Sequence, residues 1–409
     1  MVKTASSKLD KIIRLIPGYD PVSTAGECTF DEKAAQHVID FFTECLTHVK
    51  GDMKGQPFIL QPWEQAIVAN LFGWKQPDGA RRYREAFIFI PRKNGKTTLT
   101  AGIVLYTLFC DGEPGAEIYS AAKDREQAAL LYEQAKGMVL QEPELSSRST
   151  LYATYKSIVI ASEGSSYKAI SAEASTKYGY NTHLAIIDEL HAQHNRELVD
   201  VLMTSTGARR QPLIIHITTS DYERESICNE KHLQASKVRD GITKDPSFLP
   251  VIYEATIDDD WADPKVWAKA NPNLDVSLPT KYLERECQHA KEVPAYENTF
   301  KRLHLNIRTE QATRWISMES WDACDEKIDL ADLVGRDCYA GLDLASKIDV
   351  ASFVLLFPLR GCHQPARLIV AVLVFQGQFR DLPLPQLGER HAVGLPEHGV
   401  KIGQDDLPG

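Results

Sequence analysis

The sequence predicts an α/β protein: a phosphate-loop domain with a mostly parallel sheet, followed by a second, smaller run of strands. Three observations carry that expectation. Near-continuous apolar strand candidates alternate with helical stretches between residues 85 and 220, the pattern of a parallel sheet covered on both faces. The first of these strands runs into EAFIFIPRKNGKTT (85–98), where Gly95, Lys96 and Thr97 open a helix. A later strand, HLAIIDELH, ends in the paired acids Asp188 and Glu189.

Taken in order, residues 1–60 are expected to be an N-terminal helical region with a helix over 31–50, and a helix over 61–72 is expected to open the next domain. Strands are expected at EAFIFI (85–90), AEIYSA (116–121), SIVIAS (157–162), HLAIIDE (183–189) and PLIIHITTS (212–220), with helices such as DREQAALLYEQAKGMV (124–139) between several of them. From about 245 the texture changes to Trp, Pro and Asn punctuation with short helices, as in DDDWADPKVWAKANPNL. A further set of strands starts at CYAGLDLA (338–345) and continues at 351–357 and 367–375. The expected organisation is therefore a nucleotide domain over 61–245, a lid or linker subdomain over 246–330 and a last domain over 331–409.

Composition bounds the function classes. With 43% hydrophobic and 25% charged residues over 409 positions, the chain can bury substantial cores. No stretch approaches the roughly 20 apolar residues of a membrane span, and MVKTASSKLDKII lacks the apolar core of a signal peptide. Eight cysteines without a C-x-x-C pair argue against a zinc ribbon or a disulfide framework. The net charge of -10 excludes a surface that coats nucleic acid throughout, while leaving room for a local basic face.

The motifs carry the chemistry. A phosphate loop works because backbone N–H groups converge at a helix head, the lysine reaches the outer phosphates and the following hydroxyl binds magnesium. Gly95, Lys96 and Thr97 supply those parts, although Ile90 stands where the motif's first glycine normally does. A bare G-K-[ST] arises by chance in roughly one chain of this length in five, so the flanking strand and helix are what give it weight. Asp188 can hold magnesium and Glu189 can orient or deprotonate an attacking water. Upstream, FILQPWEQ places Gln61 where an amide can read an adenine edge and Trp63 where a ring can wall the base; a core helix with a Trp anchor is the competing reading. Thr218, Thr219 and Ser220 end a strand at the carboxyl edge of the sheet, where hydroxyls can sense a γ-phosphate. His191 and His194 with Asp188 admit a zinc reading, which lacks the usual ligand set.

The order of these parts resembles the large terminase subunit of tailed bacteriophages, the ATP-driven motor and nuclease that packages DNA. The resemblance runs through LQPWEQAIVANLFGW, FIFIPRKNGKTTLTAGI, YGYNTHLAIIDELHAQ, RRQPLIIHITTSDYERES, the DDDWADPKVWAKANPNL region and LNIRTEQATRWISMESWDAC into YAGLDLASKIDVASFVLLF. It implies a RecA-like (ASCE) P-loop ATPase domain followed by a ribonuclease H-like nuclease domain. It also implies ATP and Mg2+ as cofactors, with Mn2+ or Mg2+ at a nuclease site. Arg92, Lys93, Asn94, Gly95, Lys96, Thr97 and Thr98 would surround the nucleotide together with Gln61 and Trp63. Within that set, Lys96, Arg92 and Glu189 would be catalytic, and Thr97 and Asp188 would hold the ATPase magnesium. Thr218, Thr219 and Ser220 would couple hydrolysis to movement, and Asp343 would bind a nuclease metal. The implied partners are double-stranded DNA, the portal of the procapsid and a small terminase subunit, in a homo-oligomeric ring with no membrane. The implied location is the host bacterial cytoplasm, transiently at the portal and outside the mature virion.

One expectation departs from the family pattern. Only 66 residues follow Asp343, and GQFRDLPLPQLGERHAVGLPEHGVKIGQDDLPG loses strand and helix periodicity. Asp349, Asp381, Asp405 and Asp406 make no convincing second metal ligand, so the sequence predicts an intact ATPase half and an incomplete, inactive nuclease half. Two other functions share the nucleotide motifs. A DExH helicase would need a second RecA-like domain with an arginine-rich motif, and a nucleotide-dependent regulator would have no DNA activity.

Overall fold

The computed structural model describes residues 8–171, 179–193, 196–222, 225–309, 337–343, 351–358, 368–375 and 400–401. They divide into two units, Met1–Ser317 and Met318–Gly409.

The first unit begins with α1 (Lys8–Ile13), β1 (Thr29–Phe30), α2 (Glu32–Cys45), α3 (Pro62–Gly73) and β2 (Trp74–Lys75). Asp31 caps α2 by accepting from the Lys33 and Ala34 amides at 3.0 and 3.1 Å. That helix stops at Cys45, short of the expected 50, because Leu46 turns extended and Gly51 and Gly55 bend the chain at positive φ. Its neighbour α3 starts with Pro62 at its first turn and is apolar nearly all round, so it lies in the core rather than on the surface.

Next come β3 (Glu85–Phe89), α4 (Lys96–Phe109), β4 (Glu117–Ala122), α5 (Arg125–Gln141), α6 (Pro143–Arg148), β5 (Thr150–Tyr152), β6 (Ser157–Ile160), β7 (Ser165–Ser171) and β8 (Thr182–Asp188). They are followed by α7 (Glu197–Thr204), β9 (Leu213–Thr218), α8 (Ile227–Arg239), β10 (Phe248–Ile252), α9 (Pro264–Ala270), α10 (Thr280–Glu292) and α11 (Pro294–Leu305). An eight-stranded sheet joins them in the order β10-β3-β9-β8-β4-β7-β6-β5. The pairs from β10 through β7 are parallel. Every residue of β9 and β10 is buried, as expected for strands covered on both faces.

Three details differ from the sequence expectation. The SIVIAS strand pairs antiparallel with both neighbours, β7 and the edge strand β5. Between it and β4 lies β7, whose sequence SSYKAIS is too polar to read as a strand; its place is secured by buried Tyr167, whose hydroxyl lies 2.8 Å from Ser120 Oγ. At the opposite edge β10 pairs with β3, so the sheet continues past the expected boundary at 245.

Register positions the site. Phe89 pairs with Thr218, and Asp188 pairs with Ile217, so β3, β9 and β8 finish side by side. β9 lies between β3 and β8, so the loops leaving all three strands gather at one carboxyl edge of the sheet. Above this edge, α9 to α11 have a core of their own, with Trp267, Leu283 and Phe300 at its centre.

The second unit has β11 (Asp337–Asp343), β12 (Ala351–Pro358), β13 (Leu368–Phe375) and β14 (Val400–Lys401), in the antiparallel order β13-β12-β11-β14. These strands answer to the expected runs at 338–345, 351–357 and 367–375. Asp349, Asp381, Asp405 and Asp406 lie outside the described residues.

Close packing of α2 on α4 generates a test. A Cβ added at Gly102 would lie 2.2 Å from Phe42 Cε1, and both residues are in the core. Alanine gains about 1 kcal/mol of helix propensity over glycine, and overpacking costs about 1–3 kcal/mol or more. Gly102→Ala is therefore expected to lower the urea midpoint, and Phe42→Leu in the same chain to recover part of the loss. A raised midpoint in the single variant would refute this packing.

Candidate functional site

The loop after β3 has the backbone form of a phosphate loop without the first glycine. Ile90 is fully buried and its amide donates to the Thr218 carbonyl at 3.2 Å, so it extends the sheet rather than opening the loop. Positive φ falls later, at Lys93 (70°) and Gly95 (82°). A Cβ at Gly95 would meet Asn273 Nδ2 at 3.4 Å and Glu64 Oε1 at 3.7 Å, which is tolerable contact; the left-handed backbone is what selects glycine there. Gly95 caps α4, whose first turn carries Lys96, the exposed Thr97 and the half-buried Thr98. Leu99 N and Thr98 N both bond the Gly95 carbonyl, so the amides preceding them head the helix without helical acceptors. Lys96 is buried and its ammonium donates to the Ile90 and Pro91 carbonyls at 2.7 and 3.2 Å. Burial pushes its pKa down to about 8, against the pull of Glu189 and Asp188.

Asp188 ends β8, and burial, reinforced by Glu189, pushes its carboxyl up to about 7. Its Oδ1 accepts from the Glu189 amide at 2.9 Å. Glu189 has φ 48° and ψ 53°, a left-handed conformation that a side chain adopts at a cost of about 1–2 kcal/mol. The strain turns the chain sharply into the short helical turn Leu190–Ala192. His191 Nδ1 then lies 3.2 Å from Glu189 Oε2 and 3.0 Å from Thr218 Oγ1. His194 lies outside the described residues.

The structure brings Lys96, Asp188, Glu189 and the end of β9 together, and it treats the other expected residues unevenly. Arg92 and Lys93 are exposed on the loop, while Asn94 is fully buried. Gln61 is half-buried at the N-cap of α3, its amide donating to Glu64 Oε2 at 2.8 Å. Trp63 is 5% exposed, and its indole donates to Asn273 Oδ1 at 2.9 Å while its ring meets Tyr253 edge-on. The anchor reading of this tryptophan is the one the packing supports. Thr218, Thr219 and Ser220 are 0% exposed and fully engaged within the fold rather than open to a phosphate. Asp343 closes β11 in the separate four-stranded sheet, opposite Ser352.

Several residues were missed because they sit in stretches that read as linker. Asn94 Nδ2 donates to Asn271 Oδ1 at 2.8 Å, and the Asn273 amide donates to Asn94 Oδ1 at 3.1 Å. Ser277 Oγ donates to the Lys93 carbonyl at 2.7 Å, and the Arg92 amide to the Leu303 carbonyl at 3.0 Å. The phosphate loop is thus held from outside by the Asn-Pro-Asn turn and by α11. Glu64, 3% exposed beside Gly95, is a second omission; the E three places after Gln61 fits a helix-start signature and hides its closeness to the loop.

Comparison with known proteins places this geometry. The model of the terminase large subunit ATPase domain matches residues 62–237, and that of the terminase large subunit endonuclease domain matches 242–364. The chain is 32% identical over 324 residues to the terminase large subunit of Enterobacteria phage HK97, covering 78% of this chain and 62% of that protein. It is 35% identical over 180 residues to Protein YmfN of Escherichia coli (strain K12), 44% of this chain and 40% of that one. The crystal structure of the HK97 large terminase aligns with a TM-score of 0.60 at 30% identity, covering 83% of this chain and 67% of that chain. The chain thus spans less than two thirds of the length of the curated HK97 protein.

Glu64 supplies a pH test. Burial raises its pKa from the ordinary 4.5 to about 7. Between those values the folded chain holds a proton that the unfolded chain has lost, so this residue makes stability fall as pH rises. Glu64→Gln abolishes the titration and keeps an acceptor for the Gln61 amide. Its stability relative to wild type is expected to improve by as much as about 3 kcal/mol from pH 4.5 to pH 8; a difference that stays flat with pH in urea unfolding would contradict it.

Proposed function

The chain belongs to the phage large terminase family, and on that premise we propose that it hydrolyses ATP to drive double-stranded DNA into a procapsid. The observation that carries this reading is the convergence of Lys96, Asp188 and Glu189 at the ends of β3 and β8, under a loop that turns left-handed at Lys93 and Gly95. Family membership implies nucleotide and metal use, and DNA as the cargo of a packaging assembly. No described helix is long and apolar enough to cross a membrane.

The roles follow from charge and position. The amides at the head of α4 and the Lys96 ammonium bind the outer phosphates of ATP; when phosphate arrives, Lys96 exchanges neutral carbonyl partners for anionic ones. Thr97 and Asp188 are hard oxygen donors suited to Mg2+, and an Asp188 carboxyl raised by burial and by Glu189 is a group that a divalent cation would ionise. When bound, the ion neutralises charge on the β- and γ-phosphates. Glu189 positions the attacking water and takes its proton. Arg92, exposed on the loop, neutralises charge developing on the γ-phosphate. Gln61 reads the adenine edge from the start of α3, with Asn94 and Thr98 completing the loop.

We place Asp343 as a metal-binding acid of the endonuclease domain, taking Mn2+ or Mg2+. The portal, the small terminase subunit and a ring of copies of this chain are the partners that this function requires, in the host cytoplasm and at the procapsid.

Lys96→Ala is expected to lower ATP affinity and abolish hydrolysis. Glu189→Gln should spare binding and abolish turnover alone, since it removes a proton acceptor and no phosphate ligand. Near wild-type ATPase in either folded variant would refute the assignment. Arg92→Ala should lower kcat with little change in affinity. Incubation with plasmid DNA and Mn2+ tests the second domain: cleavage that Asp343→Ala removes establishes a working nuclease site, while no cleavage matches the sequence expectation of an incomplete one.

A further inference from the structure

Thr218, Thr219 and Ser220 present a difficulty for any direct phosphate sensor. Each is 0% exposed, and their polar groups are already committed. The Thr218 hydroxyl donates to the Thr219 carbonyl at 3.0 Å and accepts the His191 amide at 3.1 Å. Ser220 Oγ donates to the Asp221 carbonyl at 3.1 Å. A signal from the phosphate must therefore enter this strand end through a neighbour that touches both sides.

His191 has those contacts. Its Nδ1 lies 3.0 Å from Thr218 Oγ1, 3.3 Å from Thr219 Oγ1 and 3.2 Å from Glu189 Oε2. With the Thr218 hydroxyl proton on the Thr219 carbonyl, the His191–Thr218 contact is made by the tautomer in which the imidazole donates from Nδ1, and that is the tautomer the relay uses. In the structure Nδ1 is hydrogen-bonded to the threonine hydroxyls, and the Glu189 carboxylate oxygen 3.2 Å away, buried and accepting no hydrogen bond, is a second acceptor that a small turn of the ring would reach.

The strand end also has an outlet. On its far side Asn306 Oδ1 accepts the Ser220 amide at 3.1 Å, and Arg302 donates to the Ser220 carbonyl at 3.3 Å while its guanidinium lies 4.3 Å from the Tyr222 ring centre. Arg302 belongs to α11 and Asn306 caps it, so the last turn of α11 grips the same peptide whose preceding hydroxyls meet His191. Leu303, between them, accepts the Arg92 amide.

We propose that His191 is the positioning residue that links the hydrolytic carboxylate to the coupling strand, its Nδ1–H alternating between Glu189 and Thr218–Thr219 as Glu189 engages or releases the attacking water. This rests on the nucleotide reading of the site. With ATP bound, Glu189 turns to the water and the imidazole holds the threonines; after phosphate leaves, the carboxylate recaptures the N–H and the strand end relaxes. The last turn of α11 follows through Ser220, Arg302 and Asn306.

The test is hydrogen exchange of the α11 peptides in the full chain with Mg2+ and either ADP or a non-hydrolysable ATP analogue, beside steady-state ATPase. In wild type, α11 exchange should differ between the two nucleotides by at least about fivefold, a coupling of about 1 kcal/mol. His191→Phe keeps a ring and loses the donor. It should abolish that difference and lower kcat by roughly tenfold or more, with KM for ATP within about twofold. His191→Asn, which offers an N–H close to the Nδ1 position, should restore both. A wild-type chain that fails to bind either nucleotide overturns the nucleotide reading and this relay with it. Binding without a nucleotide-dependent difference in α11, or a difference that persists in His191→Phe, overturns the relay alone.

Discussion

A buried ammonium governs the architecture of the site. Lys96 has lost most of its hydration, and in the fold two carbonyls at the end of β3 and the charges of Asp188 and Glu189 offset that loss. For those groups to converge, β3 and β8 must end level with one another, with β9 between them. The parallel register achieves this, and the apolar strands are buried on both faces to hold it. The offset is partial, since burial still holds the lysine down in pKa and the aspartate up, and under the proposed function a phosphate and a divalent cation would relieve both together.

The missing glycine has a structural answer in the same place. Ile90 belongs to the strand, and the loop starts one residue later at Pro91, using Lys93 and Gly95 for its left-handed turns. Asn94 between them is fully buried, its side chain reaching the carbonyls of Pro91 and Arg92 as well as Asn271. Side-chain amides thus do part of what glycine's backbone freedom does elsewhere. The cost is dependence on a distant segment, because Asn271 and Asn273 arrive from 177 and 179 residues away.

Legibility in the sequence followed the range of the interaction. Strands of continuous apolar residues were readable because burial on two faces leaves a local trace, and Lys96, Asp188 and Glu189 were readable because each sits at a fixed offset from such a strand. Strand β7 was not, since SSYKAIS carries mostly small and polar residues and is held by neighbours on both sides. Strand β10 was hidden by its position among turn residues after 245. Trp63 was ambiguous in principle: an indole two residues after a glutamine has the same spelling whether it faces a base or an asparagine 210 positions downstream. Glu64, Asn271, Asn273 and Arg302 acquire meaning only through contacts that link distant parts of the chain, and no periodicity records those.

The tie between the phosphate loop and the Asn-Pro-Asn turn has a mechanical corollary. Asn94, Asn271, Asn273 and Ser277 join the loop to the helical segment by hydrogen bonds on both side chain and backbone, so the two cannot be displaced independently. Coupling free energy is reciprocal: whatever work bound nucleotide does on that segment, work done on the segment returns to nucleotide affinity in equal measure. A load that pulls α9 to α11 away from the sheet edge is then an effector in the thermodynamic sense. Under the proposed function, tension would loosen or tighten the grip on nucleotide without touching it, and the rate at which the site empties would report the applied force.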